Sequence, residues 1–194
     1  METKDKILII IDAQNDFIDG TLGVEGSKEK MLALAEYIAN HGKEYKFSVA
    51  SVDFHPFTHC SFEKNGGIWP VHCVQHSHGA AIFQPILDAI DEKGIELHVL
   101  TKGLDEDHEE YSVLKNAKSN KELHALISAY GVKEADFCGI AGDYCVHDSI
   151  DDFHKEFPSI KINALLPFIA SIDGGTKLNE FLKKNDGIDA IETI

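Results

Sequence analysis

The stretch Ala135-Asp136-Phe137-Cys138-Gly139-Ile140-Ala141-Gly142-Asp143-Tyr144-Cys145-Val146 decides the fold class. It passes from an apolar run through a glycine-containing turn into an amphipathic stretch that stops at Pro158, which is the pattern of a strand, a turn and a helix. Cys145 then stands in the first turn of a helix, where the peptide dipoles lower the pKa of a thiol. The same turn offers unpaired backbone N–H groups that can hold an oxyanion. On its position alone Cys145 is explained equally well as a small buried hydrophobe, so its role depends on the residues that join it.

Apolar runs that predict strands alternate along the whole chain with stretches of helical periodicity. The predicted strands are 7–11, 47–52, 97–101, 135–140, 160–166 and 188–191. One helix is predicted to start at Ser27, and another at the capping box Ser119-Asn120-Lys121-Glu122. This alternation predicts a three-layer α/β/α architecture with a mainly parallel central sheet of about six strands. The chain shows no linker or repeat, so we expect residues 1–194 to form a single domain.

Composition excludes several classes of partner. The 194 residues carry a formal net charge of −15, which repels nucleic acid and anionic membrane surfaces. No apolar run approaches the roughly 18 residues that a membrane span needs. The charged start 1–6 has no signal-peptide apolar region after it, and none of the four cysteines forms a C-x-x-C pair. We therefore expect a cytoplasmic protein with free thiols that binds a small molecule and is either a monomer or a homo-oligomer.

Reactive side chains follow each of the first four predicted strands. Asp12 follows the first strand, Asp53 the second, Lys102 the third, and the turn to Cys145 the fourth. Ligands of parallel sheets bind beyond the carboxyl ends of the strands, so these side chains should meet at one edge. A carboxylate can take the proton of a thiol, and a nearby ammonium stabilises the thiolate. We predict Asp12, Lys102 and Cys145 to be the catalytic group.

A second group has the chemistry of a metal site. Asp53, His55 and His72 offer carboxylate and imidazole ligands, which suit one divalent ion such as Zn, Mn or Fe. Three protein ligands leave coordination positions open, as catalytic sites do. Four further side chains are candidates for a fourth ligand: His59, Glu63, His76 and His78.

With these residues in place, the chain resembles the nicotinamidases and pyrazinamidases of the isochorismatase-like cysteine hydrolase superfamily. The resemblance covers nearly the whole length. The matching segments are Ile11-Asp12-Ala13-Gln14-Asn15-Asp16-Phe17, Asp53-Phe54-His55-Pro56, Trp69-Pro70-Val71-His72-Cys73, Lys102-Gly103, Tyr111-Ser112 and Gly139-Ile140-Ala141-Gly142-Asp143-Tyr144-Cys145-Val146.

The resemblance implies an amidohydrolase that converts nicotinamide, and also pyrazinamide, to nicotinate and ammonia through a thioester in NAD salvage. Cys145 would be the nucleophile, with Asp12 and Lys102 as its partners. A metal held by Asp53, His55 and His72 would meet the ring nitrogen of the substrate. The ring would lie between Phe17 and Trp69, and a cis peptide before Ala141 would turn backbone N–H groups toward the oxyanion. The site residues that the resemblance implies are Asp12, Lys102, Cys145, Asp53, His55, His72, Phe17, Trp69 and Ala141.

Three segments depart from the family pattern. The family usually has threonine at the position of Gly142, small residues along the tract 166–171, and an aromatic residue after Tyr111-Ser112. Two other functions therefore stay open. One is a related cysteine hydrolase acting on an N-carbamoyl amide or on isochorismate, which the metal-ligand pattern disfavours. The other is a non-catalytic ligand-binding protein of the same fold, which would release no ammonia from any amide.

Overall fold

The computed structural model describes residues 4–193, and its centre is a six-stranded sheet. The strands are β1 Lys6–Ile11, β2 Ser48–Asp53, β3 Leu97–Lys102, β4 Glu134–Ile140, β5 Lys161–Ala170 and β6 Ile188–Ile191. Their order is β3-β2-β1-β4-β5-β6, and every neighbouring pair is parallel. The predicted parallel α/β sheet of about six strands is confirmed. The predicted single domain 1–194 stays a prediction, and its ends, 1–3 and 194, lie outside the described residues.

Helices cover both faces of this sheet. They are α1 Asn15–Ile18, α2 Ser27–His41, α3 Gln84–Lys93, α4 Ala117–Tyr130, α5 Cys145–Glu156 and α6 Thr176–Lys184. Apolar residues of α2 and α3 share one core cluster, and those of α4, α5 and α6 share the other. Between residues 4 and 193, no helix is long and apolar enough to cross a membrane.

After Lys6, strand β1 is apolar because residues 7–11 are buried on both faces. Ile7, Ile9 and Ile11 belong to the cluster under α4 and α5, while Leu8 and Ile10 belong to the cluster under α2 and α3. Side chains of a strand alternate between faces, so a strand covered on both sides favours apolar residues at every position. This explains the unbroken aliphatic run in the sequence.

The order in which strands are added to the sheet reverses between β1 and β4. From β1 the sheet grows outward through β2 and β3, and from β4 it grows the other way through β5 and β6. Such a switch point opens a crevice beyond the strand ends, which is where α/β sheets bind ligands. Gly139 lets the two central strands approach closely: its φ is +118°, and a Cβ there would lie 1.9 Å from the carbonyl oxygen of Ile11.

Two predicted element boundaries are wrong. Strand β5 continues to Ala170 instead of ending at 166, because it bulges around Pro167: Phe137 pairs with Ala164, but Gly139 already pairs with Ile169. Helix α4 starts before the predicted capping box. Its cap is Asn116, and the Ser119 hydroxyl instead donates to the carbonyl of Thr101, 2.7 Å away.

Candidate active site

The residues predicted to be catalytic meet at the carboxyl edge of the sheet. Asp12 directly follows β1, Asp53 and Lys102 are the last residues of β2 and β3, and Cys145 is the first residue of α5. Asp53 and Lys102 are paired across the two strands. Parallel pairing thus carries four side chains, distant in the chain, to one place.

Lys102 is the centre of this group. It is fully buried, and its Nζ lies 2.8 Å from Asp12 Oδ2 and 3.5 Å from Cys145 Sγ. The same ammonium donates to Asp53 Oδ1. Burial opposes the charge of Lys102, but the two carboxylates outweigh it and raise its pKa well above its usual value. A permanent cation therefore sits between the thiol and both acids.

Asp12 is a buried carboxylate with two defined neighbours. Its Oδ1 accepts a hydrogen bond from the Ser51 hydroxyl at 2.7 Å, and its Oδ2 faces Lys102. Burial raises the pKa of Asp12, and Lys102 works in the opposite direction. A carboxylate with raised pKa is more basic than one in water, so it is better suited to accept a proton from a thiol.

Cys145 departs from the expectation based on its helix position. Burial raises the pKa of its thiol well above the usual range, although Lys102 pulls it down. Loss of solvation outweighs the attraction of the Lys102 charge because Cys145 is buried at the base of the helix. The thiol therefore keeps its proton at rest, and a base has to remove it in place.

The turn before Cys145 is anchored from both sides. The Ile140–Ala141 peptide is cis, as the resemblance implied. The N–H of Val146 donates to the Ala141 carbonyl, and the N–H of Gly142 donates to the carbonyl of Ala170 at the end of β5. This brings Ala141 beside Cys145 in the wall of one cleft.

Asp53, His55 and His72 form the predicted metal-binding group. One donor atom from each lies within 4.8 Å of the others, and all three side chains are buried. Nδ1 of His55 bonds the carbonyl of Gly103 (3.0 Å), and Nδ1 of His72 bonds that of Pro70 (2.8 Å). A carbonyl only accepts, so each Nδ1 carries the proton and each Nε2 presents a lone pair.

These lone pairs converge on Asp53. Nε2 of His55 is 3.5 Å from Asp53 Oδ2, Nε2 of His72 is 4.0 Å away, and the buried His55 Nε2 has no hydrogen-bond partner. Burial raises the pKa of Asp53, but the Lys102 ammonium holds it well below its usual value. One carboxylate and two oriented imidazoles, one of them unsatisfied, fit a divalent ion such as Zn, Mn or Fe.

The candidates for a fourth ligand lie outside this group. Both ring nitrogens of His59 are engaged, Nδ1 with the Ser61 hydroxyl at 2.7 Å and Nε2 with the carbonyl of His108 at 3.1 Å. Burial and the neighbouring His55 lower the pKa of His59 to about 4. The other candidates are exposed: Glu63, His76 and His78.

An open cleft with an empty volume of about 380 Å³ joins the two groups. Phe17 and Trp69 line it together with Cys145, Asp53 and His72. Other residues that line the cleft were not predicted as site residues from the sequence: Leu22, Val24, Glu109, Tyr111, Tyr144 and Ile172. The unpredicted residues lie in or next to loops, where no periodicity marks a side chain as facing a ligand.

Aromatic contacts fix the orientation of Trp69. Its Nε1 donates to the hydroxyl of Tyr111 at 3.1 Å, and its ring meets Tyr144 edge to face with centroids 5.0 Å apart. On the other side, Phe17 packs against His72 with centroids 5.4 Å apart. The cleft therefore has flat apolar walls that suit a planar ring.

Two polar residues after Asp12 hold the loops that carry the metal-binding group. Gln14 accepts from the backbone N–H of Asp53 through Oε1 and donates to its carbonyl through Nε2, both at 2.8 Å. Asp16 Oδ2 accepts from the N–H of Cys73, the residue after His72, at 2.7 Å. The segment after β1 thus organises loops to which it contributes no ligand.

A buried thiol beside a carboxylate and an ammonium, at the switch point of a parallel sheet, is what the class of α/β cysteine hydrolases requires. The comparisons agree with this class. The chain belongs to the isochorismatase domain family, whose sequence pattern matches residues 6–156.

Individual relatives narrow the class further. A nicotinamidase/pyrazinamidase of Mycobacterium tuberculosis is 36% identical over 152 residues, which cover 76% of this chain and 77% of that protein. Among solved structures, PnC1 of L. infantum in complex with nicotinate has a TM-score of 0.81 at 30% identity, covering 98% of this chain and 94% of that one. The pyrazinamidase of Pyrococcus horikoshii in complex with zinc has a TM-score of 0.80 at 28% identity, covering 97% and 99%. The chain is an amidohydrolase acting on an amide bond.

Proposed function

We propose that this protein is a nicotinamidase that hydrolyses nicotinamide to nicotinate and ammonia, accepts pyrazinamide as well, and works in NAD salvage. The observation that carries the proposal is the position of Lys102, whose ammonium contacts Asp12, Cys145 and Asp53 at once. It joins the acid–thiol pair to the metal-binding group. The names of the relatives supply the substrate.

The first half of the reaction forms a thioester. Asp12 takes the proton of the Cys145 thiol while Lys102 stabilises the thiolate, which attacks the amide carbon. The oxyanion is held by backbone N–H groups of the turn that contains Ala141. The C–N bond breaks as Asp12 returns the proton to the leaving nitrogen, so ammonia departs and the acyl group stays on sulfur.

The second half regenerates the thiol. Asp12 accepts a proton from a water molecule, whose oxygen attacks the thioester carbon. The C–S bond breaks, Asp12 passes its proton to the Cys145 sulfur, and the product leaves as nicotinic acid, which gives its remaining proton to solvent and becomes nicotinate. One water is consumed, and Asp12 ends as it began.

Asp53, His55 and His72 would hold the divalent ion, Zn, Mn or Fe. When bound, the ion supplies a Lewis acid that anchors the ring nitrogen of the substrate. Phe17 and Trp69 would hold the two faces of the ring.

The test is ammonia release from nicotinamide by purified protein, before and after chelation and metal add-back. Cys145→Ala is compared with Cys60→Ala, a thiol outside the cleft. We expect Cys145→Ala to fold and to lose on the order of 10⁴–10⁶ in turnover, and Cys60→Ala to keep it.

Near-normal turnover by Cys145→Ala would rule out the nucleophile. No release by the metal-loaded wild type would rule out the function, and an N-carbamoyl amide would be tested next.

A further inference from the structure

We propose that Ile172 determines substrate specificity at the mouth of the cleft, and that Asp143 is the positioning residue that holds it there. The proposal rests on the proposed function, because it concerns the same cleft. It assigns a purpose to the segment between β5 and α6, which contains none of the motifs found in the sequence.

Asp143 clamps this segment with both carboxylate oxygens. Oδ1 accepts from the N–H of Ile172 at 3.0 Å, and Oδ2 accepts from the N–H of Asp173 at 3.2 Å. Asp143 itself is 5% exposed and lies two residues before Cys145 in the nucleophile turn. Hydrogen bonds to a carboxylate are stronger than neutral ones, so the pair fixes the backbone at Ile172.

A further hydrogen bond joins helix α6 to the turn that contains Asp143. The Lys177 ammonium donates to the carbonyl of Asp143 at 2.6 Å and lies 5.3 Å from the centre of the Tyr144 ring. Tyr144 lines the cleft. The side chain of Asp143 therefore binds the segment between β5 and α6, and its backbone carbonyl binds the first turn of α6.

Gly142 makes room for this arrangement. A Cβ at Gly142 would lie 2.1 Å from Ser171 Oγ and 2.9 Å from Ile169 Cγ2. Ser171 thus fills the space beside the nucleophile turn that a side chain at position 142 would need. The two departures noted in the sequence, at Gly142 and in the tract that ends at Ser171, compensate each other.

The result is an apolar rim. Ile172 is 51% exposed, yet it lines the cleft together with Leu22 and Val24 from the segment after α1. A half-exposed apolar side chain at a cleft mouth contributes little to folding and gains contact when a ring binds. We therefore expect the rim to favour neutral heteroaromatic carboxamides and to limit substituents on the ring.

The experiment compares Ile172→Ala with Leu32→Ala, a similarly exposed apolar residue outside the cleft. We expect Ile172→Ala to raise KM for nicotinamide about fivefold with kcat within about twofold, and to reduce selectivity for nicotinamide over a ring-methylated analogue. Leu32→Ala should change neither. Both variants should keep the wild-type melting temperature within a few degrees.

Asp143→Asn tests the clamp. Asparagine keeps the size but has one acceptor oxygen, so one N–H loses its partner. We expect the same shift in KM and selectivity as in Ile172→Ala, and Lys177→Met should shift them in the same direction. Lys183→Met, on the same helix, is the control.

Binding is measured separately from turnover. Trp69 is the only tryptophan in the chain and lines the cleft, so its fluorescence reports nicotinamide binding to Cys145→Ala protein. Weaker binding after Ile172→Ala in that background supports the inference even if the wild type releases no ammonia, which would sink the proposed function alone. Unchanged affinity and selectivity in an active enzyme would overturn the inference and leave the function standing. A protein that neither binds nor hydrolyses nicotinamide overturns both.

Discussion

At the scale of single residues, Lys102 compensates two carboxylates that are buried with it. Lys102→Met would leave Asp12 and Asp53 without their cation, and breaking a buried ion pair costs about 3–5 kcal/mol. We expect that loss in the free energy of unfolding, measured by urea titration, together with loss of activity. Lys28→Met is the control, because the pair of Lys28 with Asp19 is exposed at both ends and contributes little to stability. Equal losses of unfolding free energy in the two variants would show that the burial of Lys102 does not increase its contribution to stability.

Gly139 is the second residue whose replacement has a defined cost. Gly139→Ala would place a methyl group against the carbonyl oxygen of Ile11, and backbone there cannot move without moving Asp12. We expect a loss of more than about 3 kcal/mol, or failure to fold. Gly131→Ala separates strain from collision, since Gly131 has φ +63° but no atom within 4 Å of its Cβ position. It should cost about 1 kcal/mol by denaturant titration.

The meeting of Asp12, Lys102 and Cys145 at one edge of the sheet could be predicted from the sequence, because each lies at or directly after the end of a predicted strand or in the turn that follows one. The raised pKa of Cys145 could not be predicted from the sequence, because it depends on how completely the start of α5 is buried. Glu109 and Ile172 could not either. They reach the cleft through loop conformations that no local pattern encodes.

At the scale of elements, a polar cluster fastens the strands at the edge opposite the cleft. Buried Asp136 on β4 accepts from Tyr45 Oη and Asn163 Nδ2, both at 2.6 Å, and pairs with Lys6 on β1 at 2.6 Å. Burial and the Asp136 charge raise the pKa of Tyr45 far above 10.0. Burial disfavours the Lys6 ammonium, but Asp136 outweighs it and raises the pKa of Lys6 above 10.5.

This cluster predicts loss of stability at alkaline pH. Both groups keep their protons longer in the folded chain than in the unfolded one, so their contribution is complete below about pH 10 and falls as pH rises further. Tyr45→Phe should lower the free energy of unfolding by about 1–3 kcal/mol at pH 8 and make its decline between pH 9 and 11 shallower. Denaturant titrations across that range measure both. Parallel curves for the two proteins would contradict the assignment.

Element boundaries show what periodicity misses. The β5 prediction stopped at 166 because Pro167 interrupts the apolar run, and only the pairing with β4 shows that the strand bulges and continues. The capping box at Ser119 matched a helix start, but the contact of Ser119 with Thr101 belongs to tertiary structure. The existence and the order of the helices and strands could be predicted from local sequence patterns. Where each one begins and ends depends on the elements packed against it.

At the scale of the whole molecule, the excess of acidic residues makes stability depend on ionic strength. With 33 acidic and 18 basic residues, self-repulsion opposes the compact state at low ionic strength. Salt at about 0.15 M shortens the Debye length to about 8 Å, so we expect the melting temperature to rise by a few degrees from about 0.01 M salt. Scanning calorimetry at several sodium chloride concentrations measures this. A falling melting temperature would mean that attractive ion pairs outweigh the net repulsion.

The position of β1 in the middle of the sheet bears on how the enzyme comes into being on the ribosome. Strands β1, β2 and β3 emerge in succession and are neighbours, so the acids at 12 and 53 and the ammonium at 102 can be brought together early. The other edge of β1 has no strand to pair with until β4 is synthesised, more than 120 residues later. Cys145, which follows β4, is synthesised only then. A nascent chain that stops short of Cys145, even with its first half folded, holds Asp12, Asp53 and Lys102 without the proposed nucleophile and cannot carry out the proposed reaction.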